Sequence, residues 1–319
     1  RLLEAGASTE AANAYGRTPL LLVARESGSA DLARLLLDHK AHVDARDTSG
    51  DTPLTLAAWR GFAGVADVLI ERGATVPATG RAAESLLHSA AGKGLDRLFA
   101  ALVGKGADLS IRTNRGGTLL HEAAAGGSTA IVRELLARKL GVNGADRDGW
   151  TPLHDAAFMA RDDALAALVA AGADLDARTV LGQSAWNLAR ENGLGDIAVW
   201  LAAKGASQEA PQFPALRGAY LGQAPPGPTP REFAAGIVGG HFSMHSSPAF
   251  SPDGSELYWS ESIPPRGSGY SSGRTMVSRR AGETWSYPVR AMVGAVPLED
   301  VPVISADGRR IYDMARRPV

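Results

Sequence analysis

The chain has 319 residues, with 33 basic and 34 acidic side chains, a formal net charge of −1 and no cysteine. This balance gives no electrostatic basis for binding nucleic acid or an anionic membrane. The absence of cysteine excludes disulfide frameworks, thiolate metal sites and cysteine nucleophiles. No apolar run approaches the roughly 18 residues that a membrane-spanning helix needs. At roughly 150 residues per domain, the length predicts about two domains.

The composition changes near residue 207. Residues 1–207 hold four of the 18 prolines, and residues 208–319 hold the other 14. The first part, rich in alanine and leucine, is predicted to be helical, and the second to be mostly strand and turn. The excess of arginine over lysine is typical of a GC-rich bacterial genome. We also expect a piece of a longer protein, cut at both ends, because the chain starts at Arg1 rather than methionine and stops at Val319. The compartment is therefore not predicted.

A short motif recurs through the first part at spacings of 34, 33, 33, 33 and 33 residues. Its copies are Thr18-Pro19-Leu20, Thr52-Pro53-Leu54, Ser85-Leu86-Leu87, Thr118-Leu119-Leu120, Thr151-Pro152-Leu153 and Ser184-Ala185-Trp186. Threonine or serine can cap a helix, and proline suits the first helical turn. A constant period of this length predicts stacked helical units that bury a common core.

The fifth copy, Thr151-Pro152-Leu153-His154-Asp155-Ala156, resembles the ankyrin-repeat motif T-P-L-H-x-A. The resemblance implies an α solenoid over residues 1–207, made of a half-repeat (1–15) and six repeats.

Three features depart from the ankyrin pattern. Lys40 and Lys139 stand where a helix-ending glycine is expected. The first repeat has an extra residue near Arg25–Ser27. The third repeat has lost its proline, and we expect an irregular loop over Thr75–Ala83.

The second part begins with a proline-rich linker, residues 208–235. The passages Pro248–Trp259 and Pro302–Tyr312 then each read as a strand, an Asp-Gly turn and an aromatic strand, which predicts a hairpin. The two Asp-Gly pairs are separated in sequence by about the length of one propeller blade. Ser251-Pro252-Asp253-Gly254 resembles the PD40 (WD40-like) motif of TolB-type β-propellers. This resemblance implies that residues 236–319 are an incomplete all-β propeller segment.

Several patterns typical of catalytic or metal sites have structural explanations. His88, His121 and His154 recur at the repeat spacing, but neighbouring stacked helices lie too far apart for the three to share one ion. The ankyrin resemblance implies instead that this histidine hydrogen-bonds the turn backbone of adjacent repeats. Gly269–Gly273 fits G-x-S-x-G but is followed by a strand, which favours a hairpin loop over a nucleophile elbow. We expect no catalytic residue, no metal and no cofactor.

The ankyrin resemblance implies that the turn tips and the ends of the inner helices face a protein partner. The turn-tip candidates are Arg46, Asp47, Arg112, Asn114, Arg115, Arg147, Asp148 and Arg178. The helix-end candidates are Trp59, Arg60, Lys93, Phe158 and Met159. Trp59, Phe158 and Met159 are apolar where an exposed polar residue is usual, which indicates interface anchors. The alternative is that they fill gaps between repeats.

These observations predict a non-enzymatic, monomeric interaction scaffold that binds a protein partner of unknown identity through the ankyrin concave face, without nucleic acid. Two alternatives stay open. The chain could be the interaction part of a larger prolyl-oligopeptidase-like hydrolase whose catalytic domain lies beyond Val319. The propeller-like segment could instead bind a component of the cell envelope.

Overall fold

The computed structural model describes residues 4, 6–211, 248–263, 272–293, 296–297, 303–304 and 311–312. The predicted linker lies outside the described residues from 212 onward, and so does the loop 264–271 with most of the G-x-S-x-G motif. The chain forms two compact units. Unit 1 contains Arg1–Gly144 and Arg161–Gly172, and unit 2 contains Ala145–Ala160 and Ala173–Val319. The predicted boundary at residue 207 stays a prediction.

The described part of the repeat region is helical, as predicted. The α-helices are α1 (Pro19–Leu22), α2 (Ala30–Asp38), α3 (Pro53–Arg60), α4 (Ala63–Glu71), α5 (Gly80–Lys93), α6 (Asp96–Gly104), α7 (Leu119–Gly126), α8 (Thr129–Ala137), α9 (Pro152–Phe158), α10 (Asp162–Ala170), α11 (Ala185–Glu191) and α12 (Gly195–Ala203). Unit 1 holds α1–α8 and α10, and unit 2 holds α9, α11 and α12.

Helix α3 shows how the repeat motif sets the ends of a helix. The hydroxyl of Thr52 accepts the N–H of Thr55 at 3.2 Å, and the hydroxyl of Thr55 accepts the N–H of Thr52 at 2.8 Å. This reciprocal pair satisfies two N–H groups that the first turn cannot pair internally. Gly61 ends the helix at φ 77°, a left-handed conformation that favours glycine.

The core of unit 1 is built from the leucines of successive repeats. Leu54, Leu69, Leu87, Leu98 and Leu119 are each at most 1% exposed. Burying one such side chain contributes about 2 kcal/mol. Since every repeat supplies leucines to this core, each repeat depends on its neighbours for burial.

The expected extra residue of the first repeat is accommodated by a π-helical turn, Val23–Ser27, that continues α1. The N–H of Gly28 donates to the carbonyl of Val23 at 3.0 Å, five residues back. Gly28 has φ 65° and ends the turn. The wider turn adds one residue to the helix without changing the repeat that follows.

Two other departures have clear structural consequences. Lys40 and Lys139 adopt the left-handed φ values of 66° and 59°, so they replace glycine at a conformational cost. The irregular loop expected over Thr75–Ala83 is wrong for its last four residues, because α5 already begins at Gly80 and runs for 14 residues. The residues that follow Gly80 are arginine and alanine, which favour helix. The third repeat has no proline that would fix a later start of this helix.

In the described residues of unit 2, nine strands follow the three helices. They are β1 (Ala249–Phe250), β2 (Glu256–Ile263), β3 (Ser272–Ala281), β4 (Thr284–Trp285), β5 (Val289–Arg290), β6 (Met292–Val293), β7 (Val296–Pro297), β8 (Val303–Ile304) and β9 (Ile311–Tyr312). One antiparallel sheet has the order β1-β2-β3-β4, with β5 also paired to β3. Strands β6–β7 and β8–β9 form separate pairs. The described strands do not by themselves show a propeller.

Both predicted hairpins are confirmed. Phe250 pairs with Leu257, and Ile304 pairs with Ile311. The two hairpins therefore have the same register, displaced by the same interval that separates the two Asp-Gly pairs. The strand expected after the G-x-S-x-G motif is also present, as β3.

The β-segment is the strand-forming part of unit 2, the described residues between 248 and 312. Within unit 2, a small hydrogen-bond network joins this β-segment to α11. The hydroxyl of Tyr287 donates to Oε1 of Glu191 at 2.7 Å and accepts the side-chain N–H of Gln183 at 2.8 Å. Gln183 also donates to Oε2 of Glu191 at 2.6 Å. Nearby, Arg274 of β3 donates to Oδ1 of Asn192 at 3.2 Å. These contacts hold residues that are distant in sequence against each other.

Candidate partner-binding surface

Unit 1 has a groove of about 820 Å³ beside the ends of its inner helices. We call it the Trp59 groove. Trp59 and Thr55 of α3, Arg25 of the π-helical turn, Arg46 of the loop before α3 and Arg81 of α5 contribute to its lining. Its volume falls in the range of sites that hold small ligands or short peptide segments. The groove combines an aromatic side chain with several cations.

Trp59 is the largest exposed apolar side chain of this groove. It is 62% exposed at the C-terminal end of α3, as predicted. The guanidinium of Arg60 lies 5.7 Å from the centroid of the Trp59 ring and 5.7 Å from that of Phe62. Such a cation–π contact restricts the indole without burying it. The exposed ring is therefore presented in a restricted orientation, which suits an interface anchor.

The arginines of the groove differ in how their charge is neutralised. Arg17 pairs with Asp47 at 3.2 Å, and Arg25 pairs with Glu26 at 3.0 Å. Arg46 donates only to a carbonyl oxygen, and Arg81 makes no ion pair or hydrogen bond within the described part of the chain. Among the arginines of the groove, Arg46 and Arg81 are therefore the two without an ion-pair partner in the described residues.

Three of the turn-tip arginines have a shared structural role. The guanidinium groups of Arg46, Arg112 and Arg178 donate to the carbonyl oxygens four residues later, at 2.9, 3.0 and 3.1 Å respectively. Each bond closes the turn that precedes an inner helix. Arg46 and Arg112 keep the rest of the side chain exposed, whereas Arg178 is half-buried and also donates to Asn187 at 3.1 Å. The sequence pattern alone does not reveal this role in the turn.

Asp47 and Asp148 are buried and so do not extend the exposed surface. Burial raises the pKa of Asp47, but the N–H groups of Asp51 and Ser49 together with the Arg17 guanidinium outweigh it and leave the pKa below its ordinary value. The carboxylate thus stays charged and holds the turn from inside. The expectation of two exposed acidic turn tips is wrong, because both side chains are buried and that of Asp47 accepts hydrogen bonds from its own turn.

Phe158 is likewise buried, at 7% exposure, in unit 2. Its ring meets that of Trp150 edge-on at 5.4 Å between centroids, and both pack against Leu188. Met159 is partly buried against the same cluster. The expectation that Phe158 is an exposed anchor is wrong, since Trp150 supplies the aromatic partner that encloses it.

The remaining predicted residues are exposed or half-exposed but do not line the Trp59 groove. Lys93, Asn114 and Arg147 are exposed, and Arg115 is half-exposed. The structure brings only Trp59 and Arg46 of the predicted set into the groove.

The sequence argument missed three groove arginines, Arg17, Arg25 and Arg81. Arg81 occupies the same repeat position as the predicted Arg147, two periods earlier, so strict counting could have found it. Arg25 lies in the π-helical turn that holds the extra residue of the first repeat, so that insertion is the sequence feature that could have indicated it.

Among the three recurring histidines, His154 makes the expected hydrogen bonds to the turn backbone of the adjacent repeat. His154 is 1% exposed, and its Nε2 donates to the carbonyls of Ala177 and Gln183 at 3.1 and 3.2 Å. Its Nδ1 accepts the N–H of Thr151 at 3.1 Å. Burial lowers the pKa of His154 to about 4. His121 accepts the N–H of Thr118 in the same way, at 3.0 Å.

His88 differs from the other two histidines. It lies in the middle of the long helix α5, and its Nδ1 is 2.7 Å from Oε2 of Glu122 on α7. This hydrogen bond raises the pKa of His88 above its ordinary value. The prediction of a bond to turn backbone is therefore wrong for His88, because the early start of α5 removes the helix cap at this position. Among the described residues, no cluster of histidine, aspartate and glutamate could hold a metal ion.

Comparison with known proteins identifies the repeats. The family model for ankyrin repeats, in three copies, matches residues 1–79 and 87–179, which is more than half of the chain. The chain belongs to the ankyrin-repeat family. Ankyrin repeats generally mediate protein–protein interaction and are typically non-catalytic.

Two further comparisons complete this description. The ankyrin repeat domain of human ASB11, a solved structure, is 25% identical to this ankyrin-repeat chain at a TM-score of 0.47, and the match covers 65% of this chain and 92% of that one. No curated protein sequence matches the chain. In the described residues, no helix has both the length and the apolar character needed to cross a membrane.

Proposed function

We propose that this ankyrin-repeat chain is a non-enzymatic, monomeric interaction module that holds a protein partner in the Trp59 groove. The observation that carries the proposal is the 62% exposure of Trp59 at the end of a well-packed helix. Large aromatic side chains beside arginine are enriched among the residues that dominate binding energy. Because the groove is built on packed helices and braced turns, little conformational entropy is lost when a partner binds.

The exposed turn residues extend this proposed surface. Arg112, Asn114 and Arg115 are accessible on later turns of unit 1, and the methylene groups of Lys93 lie close to Gly61 at the end of α3. We expect these residues to contribute rim contacts, which affect association rate and specificity more than affinity.

The proposal can be tested with a displayed library of random peptides and small domains panned on the whole chain. Binders of the wild-type protein are then titrated against Trp59→Ala and against Val199→Ala, which removes another exposed apolar side chain, 71% accessible on α12. We expect Trp59→Ala to weaken most binders by about tenfold or more. Val199→Ala should leave them unchanged. Binders that tolerate Trp59→Ala throughout would show that the groove is not the binding surface.

We infer separately that residues 236–319 begin a propeller-like repeat array. The shared register of the β1–β2 and β8–β9 hairpins, displaced by about the length of one blade, supports a repeated β-unit. A propeller of this kind repeats such units about a central axis. The gene downstream of Val319 tests the inference. Further Asp-Gly hairpins at about the same spacing support it. A continuation without them contradicts it.

A further inference from the structure

The Trp59 groove carries a charge pattern that indicates the chemistry of its partner. Arg46 and Arg81 lack carboxylate partners within the described residues. Arg46 is held in place by its 2.9 Å bond to Gly50, so part of its guanidinium remains available in a fixed orientation. Guanidinium groups bind carboxylates through paired hydrogen bonds, and ordering one in advance lowers the entropy lost on binding.

The groove also contains two carboxylates, which restrict the kinds of anion it can accept. Asp44 accepts the N–H and the hydroxyl of Thr75 at 2.9 and 2.7 Å, and Asp51 lies beside the hydroxyl of Thr55 at 3.5 Å. A uniform polyanion such as a nucleic acid strand would bring phosphates near these carboxylates. A peptide, in contrast, can carry acidic side chains at the positions that face the arginines and neutral side chains at the positions that face the two carboxylates.

The indole of Trp59 sets a second requirement for the partner, an apolar group beside its carboxylates. Its large exposed apolar surface lies in the same groove as Arg46 and Arg81. A partner gains from covering the ring only if it carries an apolar side chain. The favoured partner therefore combines carboxylates with a neighbouring apolar group.

We propose that the Trp59 groove binds an acidic peptide segment, with carboxylates on Arg46 and Arg81 and an apolar side chain on Trp59. This inference rests on the proposed function and adds the chemical class of the partner. It also assigns a purpose to the early start of α5, because that start places Arg81 in the first turn of the helix, beside the groove.

The test uses the whole chain and a short fluorescein-labelled peptide in which glutamates flank a leucine–phenylalanine pair. Fluorescence anisotropy gives its affinity, and the same peptide with lysine in place of glutamate and a labelled oligothymidylate serve as comparison probes. We expect only the acidic peptide to bind, with an affinity that falls as salt is added. Arg46→Ala with Arg81→Ala should weaken it by about tenfold or more.

A matched control keeps the change in net charge constant. Arg133→Ala with Arg138→Ala removes two arginines from the α8 region, outside the groove lining, and should alter the affinity by less than about twofold. Because Arg46 also braces its turn, Arg81→Ala is measured alone. It breaks no hydrogen bond or ion pair within the described residues, so weakened binding in that variant reports lost contact with the peptide.

Three results would overturn the inference. In the first, the two double variants lose equal affinity for the acidic peptide. In the second, oligothymidylate binds as tightly as the peptide. In the third, the acidic peptide does not bind although library binders still depend on Trp59. The last result leaves the proposed function intact. Library binders that ignore Trp59→Ala reject the proposed function instead, so the two failures are distinguishable.

Discussion

The hydroxyl of Tyr287 donates a 2.7 Å hydrogen bond to the carboxylate of Glu191, which joins the β-segment to the inner helix of the last repeat. The same hydroxyl accepts from Gln183 at 2.8 Å. Two polar bonds converging on one ring hydroxyl are worth more than an exposed surface pair, because Tyr287 is only partly exposed. In this chain the β-segment therefore stabilises α11.

Tyr287→Phe should loosen this contact while keeping the ring. Loss of the hydroxyl should cost about 1 kcal/mol, because Gln183 and Glu191 still bond each other. Amide hydrogen exchange in α11 should then be faster by about fivefold. Tyr15→Phe is the matched control, since Tyr15 is 61% exposed and the one described contact of its side chain is that of the ring with Arg17. Equal exchange in the two variants would show that the β-segment does not stabilise α11.

Trp59 and Phe158 were predicted as equivalent anchors, and the structure separates them. Phe158→Ala should destabilise the protein by about 3 kcal/mol, because it leaves a cavity beside Trp150 and Leu188. Trp59→Ala should change the free energy of unfolding by less than about 0.5 kcal/mol, as is usual for exposed positions. Urea unfolding followed by circular dichroism measures both. A comparable loss in Trp59→Ala would show that its ring contributes to the core.

The contrast between these two residues shows what the sequence could and could not predict. The recurring Thr-Pro-Leu motif predicts capped helices such as α3, since capping and proline geometry act over a few residues. The exposure of Trp59 was predicted from its place at a helix end, a place that Phe158 shares. The burial of Phe158 depends on Trp150, which lies in a turn outside the repeat motif, so local pattern does not reveal it. The turn-closing bond of Arg46 is likewise invisible, because any arginine at a turn tip reads as a surface charge.

The close approach of α5 and α7 gives a further prediction. A Cβ added at Gly126 would lie 2.8 Å from the carbonyl oxygen of Gly92 and 2.9 Å from that of Ala91, neither of which can move without shifting α5. Gly126→Ala should therefore destabilise the protein by about 1–3 kcal/mol. Gly104→Ala is the control, because Gly104 ends α6 with nothing within 4 Å of an added Cβ. It should stabilise slightly, through higher helix propensity. Thermal unfolding measures the stability of both variants. A Gly126→Ala variant as stable as the wild type would contradict the close packing of α5 and α7.

His154 predicts a loss of stability in acid. Its pKa is about 4 in the folded chain, below the ordinary value of 6.5. Protons therefore bind the unfolded chain first as the pH falls through this window, and the contribution of His154 is complete only above about pH 6.5. Between about pH 7 and pH 5 the protein should lose about 2 kcal/mol from this residue. Protonation is disfavoured because the imidazole is buried, where a charged ring would lose its hydration.

Urea unfolding at several pH values measures the effect of His154. His154→Gln should lower the slope of stability against pH, whatever its effect on absolute stability. His39→Gln, which replaces an exposed histidine at the end of the second helix of its repeat, is the matched control substitution. An unaltered slope in His154→Gln would mean that another group accounts for the acid sensitivity.

His88 should respond to pH in the opposite direction. Its hydrogen bond with Glu122 raises the pKa of His88 in the folded chain. The stabilisation is therefore complete below the unfolded value of about 6.5 and is lost as the pH rises through the folded pKa. Glu122→Gln removes the charge, so its free-energy difference from wild type should be about 0.5–1 kcal/mol near pH 5.5 and smaller near pH 9. Because both proteins retain His154, its acid effect cancels in this difference. A difference that does not vary with pH would indicate that the bond joins α5 and α7 without a charged histidine.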